Sequence, residues 1–192
     1  MPYTTYVTNQ RELFTGSLRL WKQSLGPLVI LTLLLLVLAW IPLLNLVMAA
    51  GYCRYILHLC RNEAAETSDL FRTWDCLIPL LIYSIVLVVI SFVLMIIPII
   101  GVIIATLLTS ITLPGFVAIV DRQMGVIDAL QWSFTTIQND LIGWGFTLLC
   151  SIILTGLGTL LFGLGALFTI PLATIIFVQQ YLHHQPSPPF AA

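Results

Sequence analysis

Charge is what this sequence has least of. Of its 192 residues 8% are charged, against about 25% in a soluble globular domain. So little polar side chain cannot cover a water-facing surface, and 59% of the residues are hydrophobic, with a mean hydropathy of +1.06. A soluble fold is excluded on that ground, and the chain reads as an integral membrane protein. Runs of lysine or arginine are missing and the net charge is −1, which excludes nucleic acid as a partner. Cys53, Cys60, Cys76 and Cys150 follow no framework spacing, so nothing requires an oxidising compartment. Paired carboxylates are absent from the apolar stretches, and Ser84, Ser91, Ser110 and Ser151 have no histidine or acid near them in their stretches. Proton relays and nucleophilic triads therefore lack their parts.

What is there is a series of charge-free gaps. Residues 76–120 and 141–182 carry no charge, and each gap holds two segments of about 20 residues, the length a bilayer core demands of a helix. Each also has helix breakers near its middle: Pro98 with Gly101 in the first, and Gly156, Gly158, Gly163 and Gly165 in the second. Both gaps read as two helices joined by a tight turn. The first gap, 23–53, contains Pro27 and Pro42 and holds two spans only if the second runs on through Arg54 and His58 to about Arg61. The predicted spans are then about 26–42, 43–61, 77–97, 99–120, 141–158 and 163–182. With six spans, Arg11, Arg19, Lys22, Arg54, Arg61, Arg72 and Arg122 all fall on the side shared by both termini. Basic residues stay cytoplasmic, so both termini are expected there. The stretch "VMAAG" at 47–51 has the small residues of a signal-peptide cleavage site. A long charged leader, the interruption at Pro42 and the lack of a lipobox at Cys53 argue against cleavage.

Three stretches have the periodicity of amphipathic helices leading into spans. Phe14, Leu18, Trp21 and Leu25 share one face, as do Leu70, Phe71, Trp74, Leu77 and Ile78, and again Ile127, Leu130, Phe134 and Ile137. Their other faces, with Arg19, Lys22, Arg72, Asp128 and Gln131, are too polar to enter lipid. They are read as elbow helices in the cytoplasmic interface, aromatic rings at headgroup depth. The expected fold is all-α: six transmembrane helices as three hairpins, each preceded by a cytoplasmic-side amphipathic elbow helix. It forms one membrane domain, 1–185, of three parallel repeat units at about 11–62, 67–125 and 126–184, followed by a proline-rich disordered tail at 186–192.

The run "GYCRYILHLCRNEAAETSDLFRTW" resembles a pattern in a loose group of bacterial six-span proteins: Gly-Tyr and Arg at a span end, a short acidic loop, then an Asp-Leu-Phe elbow. "ALQWSFTTIQND" with the glycine-rich hairpin after it is similar to the last third of the same group. The group includes the YciC-like proteins and the membrane domain attached to some glycerophosphodiester phosphodiesterases. The resemblance implies a multi-pass protein of the bacterial inner membrane. It supplies no catalytic residues, and nothing here corresponds to the soluble phosphodiesterase domain.

Of the candidate sites, a metal at Cys53, His58 and Cys60 fails on geometry. The cysteines are two helical turns apart, about 10 Å, and His58 lies about 140° round from Cys53, whereas zinc needs ligands converging at about 2 Å. No metal or cofactor is expected. Arg54 is the most informative residue, lying about 10 Å inside the end of its span. Three readings stand: it snorkels to the headgroups, it pairs with an acid such as Asp75 or Asp128, or it binds a lipid phosphate. His58, Arg61 and Arg72 join it as lipid- or substrate-binding candidates. His183 and His184 are read as opening the extended tail. The glycine hairpin lacks the Gly-Lys-Ser/Thr of a phosphate loop, so close helix packing or a tight turn is the reading for Gly156, Gly158, Gly163 and Gly165. Pro42, Pro98, Pro114, Gly115 and Pro171 are the candidates for helix breaks or gating.

The functional expectation is a non-enzymatic accessory, scaffold or interaction component. It would work through membrane lipids and either another membrane protein or further copies of itself. A transporter or channel for an apolar or lipid-like substrate is the alternative. A lipid enzyme would need a cytoplasmic cluster drawn from Arg54, His58, Glu63, Asp69, Asp75, Asp121 and Asp128, and is the weakest of the three.

Overall fold

The structure is a computed structural model that describes residues 3–38, 40–68, 73–94, 96, 100–160 and 165–184. Among them every regular element is helical: α1 (Tyr3–Gln23), α2 (Leu25–Leu38), α3 (Pro42–Cys60), α4 (Leu77–Leu94), α5 (Ile100–Arg122), α6 (Val126–Asn139), α7 (Leu141–Leu160) and α8 (Ala166–His183). A short 3-10 turn, Thr73–Cys76, leads into α4. Helices thus occupy all six stretches expected to span. Among the described residues, four segments are long and apolar enough to cross a membrane: Leu43–Cys60, Thr73–Leu94, Leu141–Gly158 and Ala166–His183. The bent pair formed by α1 and α2, which meet at 86°, makes a fifth if counted as one broken span. The first amphipathic stretch begins earlier than the periodicity placed it, at Tyr3, and α6 is a helix of its own, parted from α7 by Asp140. The second stretch falls partly on 69–72, outside the described residues, as do Arg72, Pro98, Gly163 and the tail at 186–192.

The helices sort into two compact units. The first holds α1, most of α2, the end of α3, α7 and α8. Within it α8 packs against both α7 and α1, and Ile175, Ile176, Val178 and Tyr181 are fully buried. A side chain at Gly158 would overlap Thr169 Oγ1 and lie 3.1 Å from Ala166 Cα, whereas a Cβ added at Gly156 would meet nothing within 4 Å. Of two glycines alike in spacing, one is required by helix contact.

The second unit holds most of α3, the 3-10 turn, α4, α5 and α6. Here α5 packs against α4 and α6. It runs unbroken through Pro114 and Gly115, although proline removes a backbone donor and crowds the preceding turn. Neighbouring side chains attend to that turn. The Gly115 N–H donates to Ser133 Oγ at 3.2 Å, and Ser133 donates to the Ile111 carbonyl at 2.5 Å. The Tyr83 hydroxyl donates to the Thr112 carbonyl. A Cβ at Gly115 would sit 2.7 Å from Tyr83 Oη and 2.8 Å from the Ala129 carbonyl, so α5 and α6 meet there backbone to backbone.

That contact fixes which side of α6 faces inward. Ala129, Ser133, Thr136 and Ile137 are buried, while Ile127 and Phe134 are exposed by 71% and 53%. The apolar face read from periodicity is therefore split, with two of its members pointing outward. On α4 only Leu80 and Tyr83 are buried, and Ile78, Ile82, Val88 and Phe92 face out.

One substitution made at two glycines tests the packing. Gly115→Ala is expected to destabilise by about 1–3 kcal/mol, because a backbone carbonyl cannot yield to the new methyl. Gly145→Ala, with nothing within 4 Å, is expected to stabilise by up to about 1 kcal/mol through helix propensity. Thermal unfolding in one detergent measures both, and equal shifts would refute the tight contact.

Candidate functional site

Arg54 lies in α3 about two turns from its end, and it is held by the second unit. The turn that brings its partner is anchored first: Thr73, fully buried, donates from Oγ1 to the Val47 carbonyl of α3 at 2.8 Å. This sets Asp75 beside the guanidinium, with Nη2 to Oδ2 at 3.0 Å and Nη1 to Oδ1 at 3.4 Å. Arg54 also reaches Cys76 Sγ and the Val120 carbonyl, each at 3.4 Å. The Val120 carbonyl belongs to the last turn of α5, where backbone acceptors lack helical partners and the dipole is negative. One cation thus meets both a carboxylate and a helix C-terminus. Of the two acids considered as partners, Asp75 is the one engaged and Asp128 is not.

A further residue completes the cluster. Gln123 follows α5 in the left-handed region, φ 52, and its N–H donates to the Ile119 carbonyl at 2.9 Å. That closes the helix in an αL cap usually given to glycine. The conformation disfavours a side chain by about 1–2 kcal/mol, yet it aims Nε2 at Asp75 Oδ2, 2.9 Å away. The sequence reading missed Gln123, since no spacing rule marks a glutamine after a helix.

His58 and Arg61 are placed by the end of α3. Asn62, with φ 56, donates to the Leu59 carbonyl at 3.2 Å, and the Glu63 N–H donates to the His58 carbonyl at 2.9 Å. These two bonds make a Schellman motif. The Glu63 carboxylate folds back to His58 Nδ1 at 3.1 Å, so His58 serves the cap. Arg61 is exposed just beyond the helix. Pro42 opens α3, a position that needs no N–H, and Pro171 lies buried inside the continuous α8.

The first unit contains a second polar cluster that the sequence reading missed. Asp140 is the N-cap of α7, accepting from the Gly143 N–H at 2.9 Å through Oδ1. Its Oδ2 accepts from Gln180 Nε2 at 3.2 Å and faces His184 Nε2 at 2.9 Å. His184 Nδ1 faces the Gln180 carbonyl at 2.9 Å. Each ring nitrogen therefore looks at an oxygen acceptor. The His184 ring lies 5.8 Å from that of Trp144, which packs edge-on against Phe177 at 5.3 Å. Further along α7 the bonding is incomplete: Trp144 Nε1 and Thr147 Oγ1 are buried without a hydrogen-bond partner. His183 ends α8 and His184 caps it, so neither belongs to an extended tail. A partner forty-four positions away, Asp140, holds His184 in place, and local composition carries no trace of it. The available signals were Asn-Asp before an apolar run, a cap signature, and Gln180 and His184 at i, i+4.

Chemically, both clusters are closed. One ties a carboxylate to a guanidinium and the other to an imidazole, each together with amide or carbonyl groups of its own unit. Among the described residues, no three His, Cys, Asp or Glu side chains converge as a metal site would require.

Removing one partner of the Arg54 pair should cost more than removing both. Arg54→Met is expected to destabilise by about 1–3 kcal/mol, the range of a partly exposed charge-assisted bond, and adding Asp75→Leu should restore at least half of that. If single and double variants melt together, the pairing is not what Arg54 contributes. In the other cluster, Asp140→Asn keeps the size but turns an amide toward donors on Gln180 and His184, or else loses the cap. A loss of about 1–3 kcal/mol is expected, read as a lowered midpoint in detergent, while Asp128→Asn at an exposed site should change little.

No protein-family model matches the chain, and neither does any curated protein or solved structure.

Proposed function

We propose that the chain is a non-enzymatic multi-pass protein of the bacterial cytoplasmic (inner) membrane that acts as an accessory, scaffold or interaction component. Six spans form three hairpins in this reading. Both termini are cytoplasmic, and α1 and α6 serve as elbow helices at the inner interface. The observation that carries the proposal is the division of side chains. Outward faces are aliphatic, with only 11% of the Thr73–Leu94 window buried, while Arg54, Asp75, Asp140 and His184 are bonded within their own units. Such a surface is stable only against lipid or another apolar helix. A protein whose inward charges are paired in this way has contacts to offer and little reacting chemistry. The resemblance to the YciC-like group points the same way, as does the positive-inside distribution of basic residues.

The transporter reading retains one supporting observation. A lateral groove of about 430 Å³ between α4 and α5 is lined by Ser84, Leu87, Val88, Ser91, Phe92 and Thr109. It would suit an acyl chain, but Ser84 and Thr109 spend their hydroxyls on carbonyls of their own helices.

Two measurements on the tagged full chain test the proposal. Reporters fused after Ala192 and within 62–68 are expected to report the cytoplasm, and one placed between α7 and α8 the outside. Mild-detergent purification from native membranes should recover a stoichiometric membrane-protein companion or a homo-oligomer. A lone monomer, or a periplasmic terminus, would contradict the reading.

A further inference from the structure

The basic residues of α1 have no role in either cluster. The inner face of α1 is fixed on α8 by two bonds: buried Ser17 donates to Gln179 Oε1 at 2.6 Å, and Trp21 Nε1 donates to the Phe168 carbonyl at 3.0 Å. The opposite stripe, Arg11, Thr15, Arg19 and Lys22, recurs at i, i+4, i+8 and i+11 and is exposed. At its C-terminal end lies a groove of about 370 Å³ lined by Thr15, Leu18, Arg19, Lys22 and Gln23. Among the described residues, neither Arg19 nor Lys22 has a hydrogen bond or an ion pair. Arg54 and His184, by contrast, each have a carboxylate against them. Two free cations beside a shallow, open groove, in a chain with so few charges, call for an anion.

We propose that this groove binds the phosphate of an anionic phospholipid headgroup, with Arg19 and Lys22 as its cations. Arginine presents a planar fork to two phosphate oxygens, and lysine adds a point charge. The 86° turn from α1 into the apolar α2 lays α1 along the interface when α2 enters the bilayer. That puts the groove at headgroup depth and gives the half-buried Leu18 a glycerol backbone to meet. A lipid is thereby favoured over free phosphate. Opposing terms are small. Glu12 is seven residues from Arg19, about 10 Å along the helix. The C-terminal dipole of α1 amounts to about half a negative charge, against two full positive ones. The proposal rests on the membrane reading above and names the lipid class behind its lipid contacts.

The test uses the full chain in vesicles of phosphatidylcholine, with and without a photoactivatable phosphatidylglycerol. Crosslinks are expected to concentrate on residues 15–23 with phosphatidylglycerol and not with an equally reactive phosphatidylcholine probe. Arg19→Gln with Lys22→Gln should weaken capture roughly 25-fold, the effect of two cations at an anionic surface. Arg19→Lys with Lys22→Arg should retain it within about threefold, as should Arg122→Gln, which removes one positive charge from a different helix. Equal capture of both lipids at 15–23, or capture unmoved by the double glutamine variant at an unchanged melting point, would overturn the proposal. So would displacement by millimolar inorganic phosphate alone, which assigns the groove to a free anion. Loss of the chain from neutral vesicles after a carbonate wash would instead sink the membrane reading itself.

Discussion

One guanidinium joins three stretches of the second unit that are far apart in sequence. Arg54 on α3 reaches Asp75 and Cys76 in the turn before α4 and the Val120 carbonyl at the end of α5. An unpaired guanidinium in that half-buried place would cost about 1–3 kcal/mol. The fold avoids this by bringing an acid to it, and that acid determines much else. Thr73 must dock on α3 to place Asp75, and Gln123 must take a strained backbone to hold the carboxylate from the other side. The starts of α4 and α6 are then set by a side-chain network as well as by hydrophobic contact.

The same constraint explains why polar side chains occur where they do. In hydrocarbon, water does not make up for a missing hydrogen bond. Proline inside α5 exposes backbone groups to that penalty, and Ser133 and Tyr83 come to Ile111, Thr112 and Gly115. The junction of α6 and α7 leaves backbone donors free, and Asp140 caps one of them while its second oxygen binds Gln180 and His184. Ser17 and Gln179 do the corresponding work between α1 and α8. In each of these places a partner accounts for the polar residue.

The helices were largely legible because charge-free gaps with breakers at their midpoints leave few alternatives. The positions of α3, α4, α5, α7 and α8 agree with those gaps to within a few residues. Partners were less legible. The sequence left Arg54 with three readings and named Asp75 and Asp128 only as examples of a pairing acid; the anchoring of Thr73 on Val47 brings Asp75. His184 looked like the start of a loose tail because its tether, Asp140, is remote. Gly156 and Gly158 have the same spacing to later glycines, and only at Gly158 would a Cβ collide with a neighbour, since periodicity cannot say which side is crowded.

The amphipathic helices show most clearly what periodicity leaves open. In water the apolar stripe of a surface helix turns inward, so the stripe itself gives the direction of the core. In a bilayer that inference loses its basis, because lipid accepts Ile and Phe as readily as a protein core does. Close packing instead favours small side chains, and α6 presents Ala129 and Ser133 to α5 while Ile127 and Phe134 face away. On α1 the contact with α8 is also made by small residues, Gly16 and Ser17, but the outward stripe is cationic. The two helices share an inward chemistry and differ in their outward one. The outer side of α6 mixes Ile127 and Phe134 with Asp128 and Gln131, whereas that of α1 carries Arg11, Arg19 and Lys22.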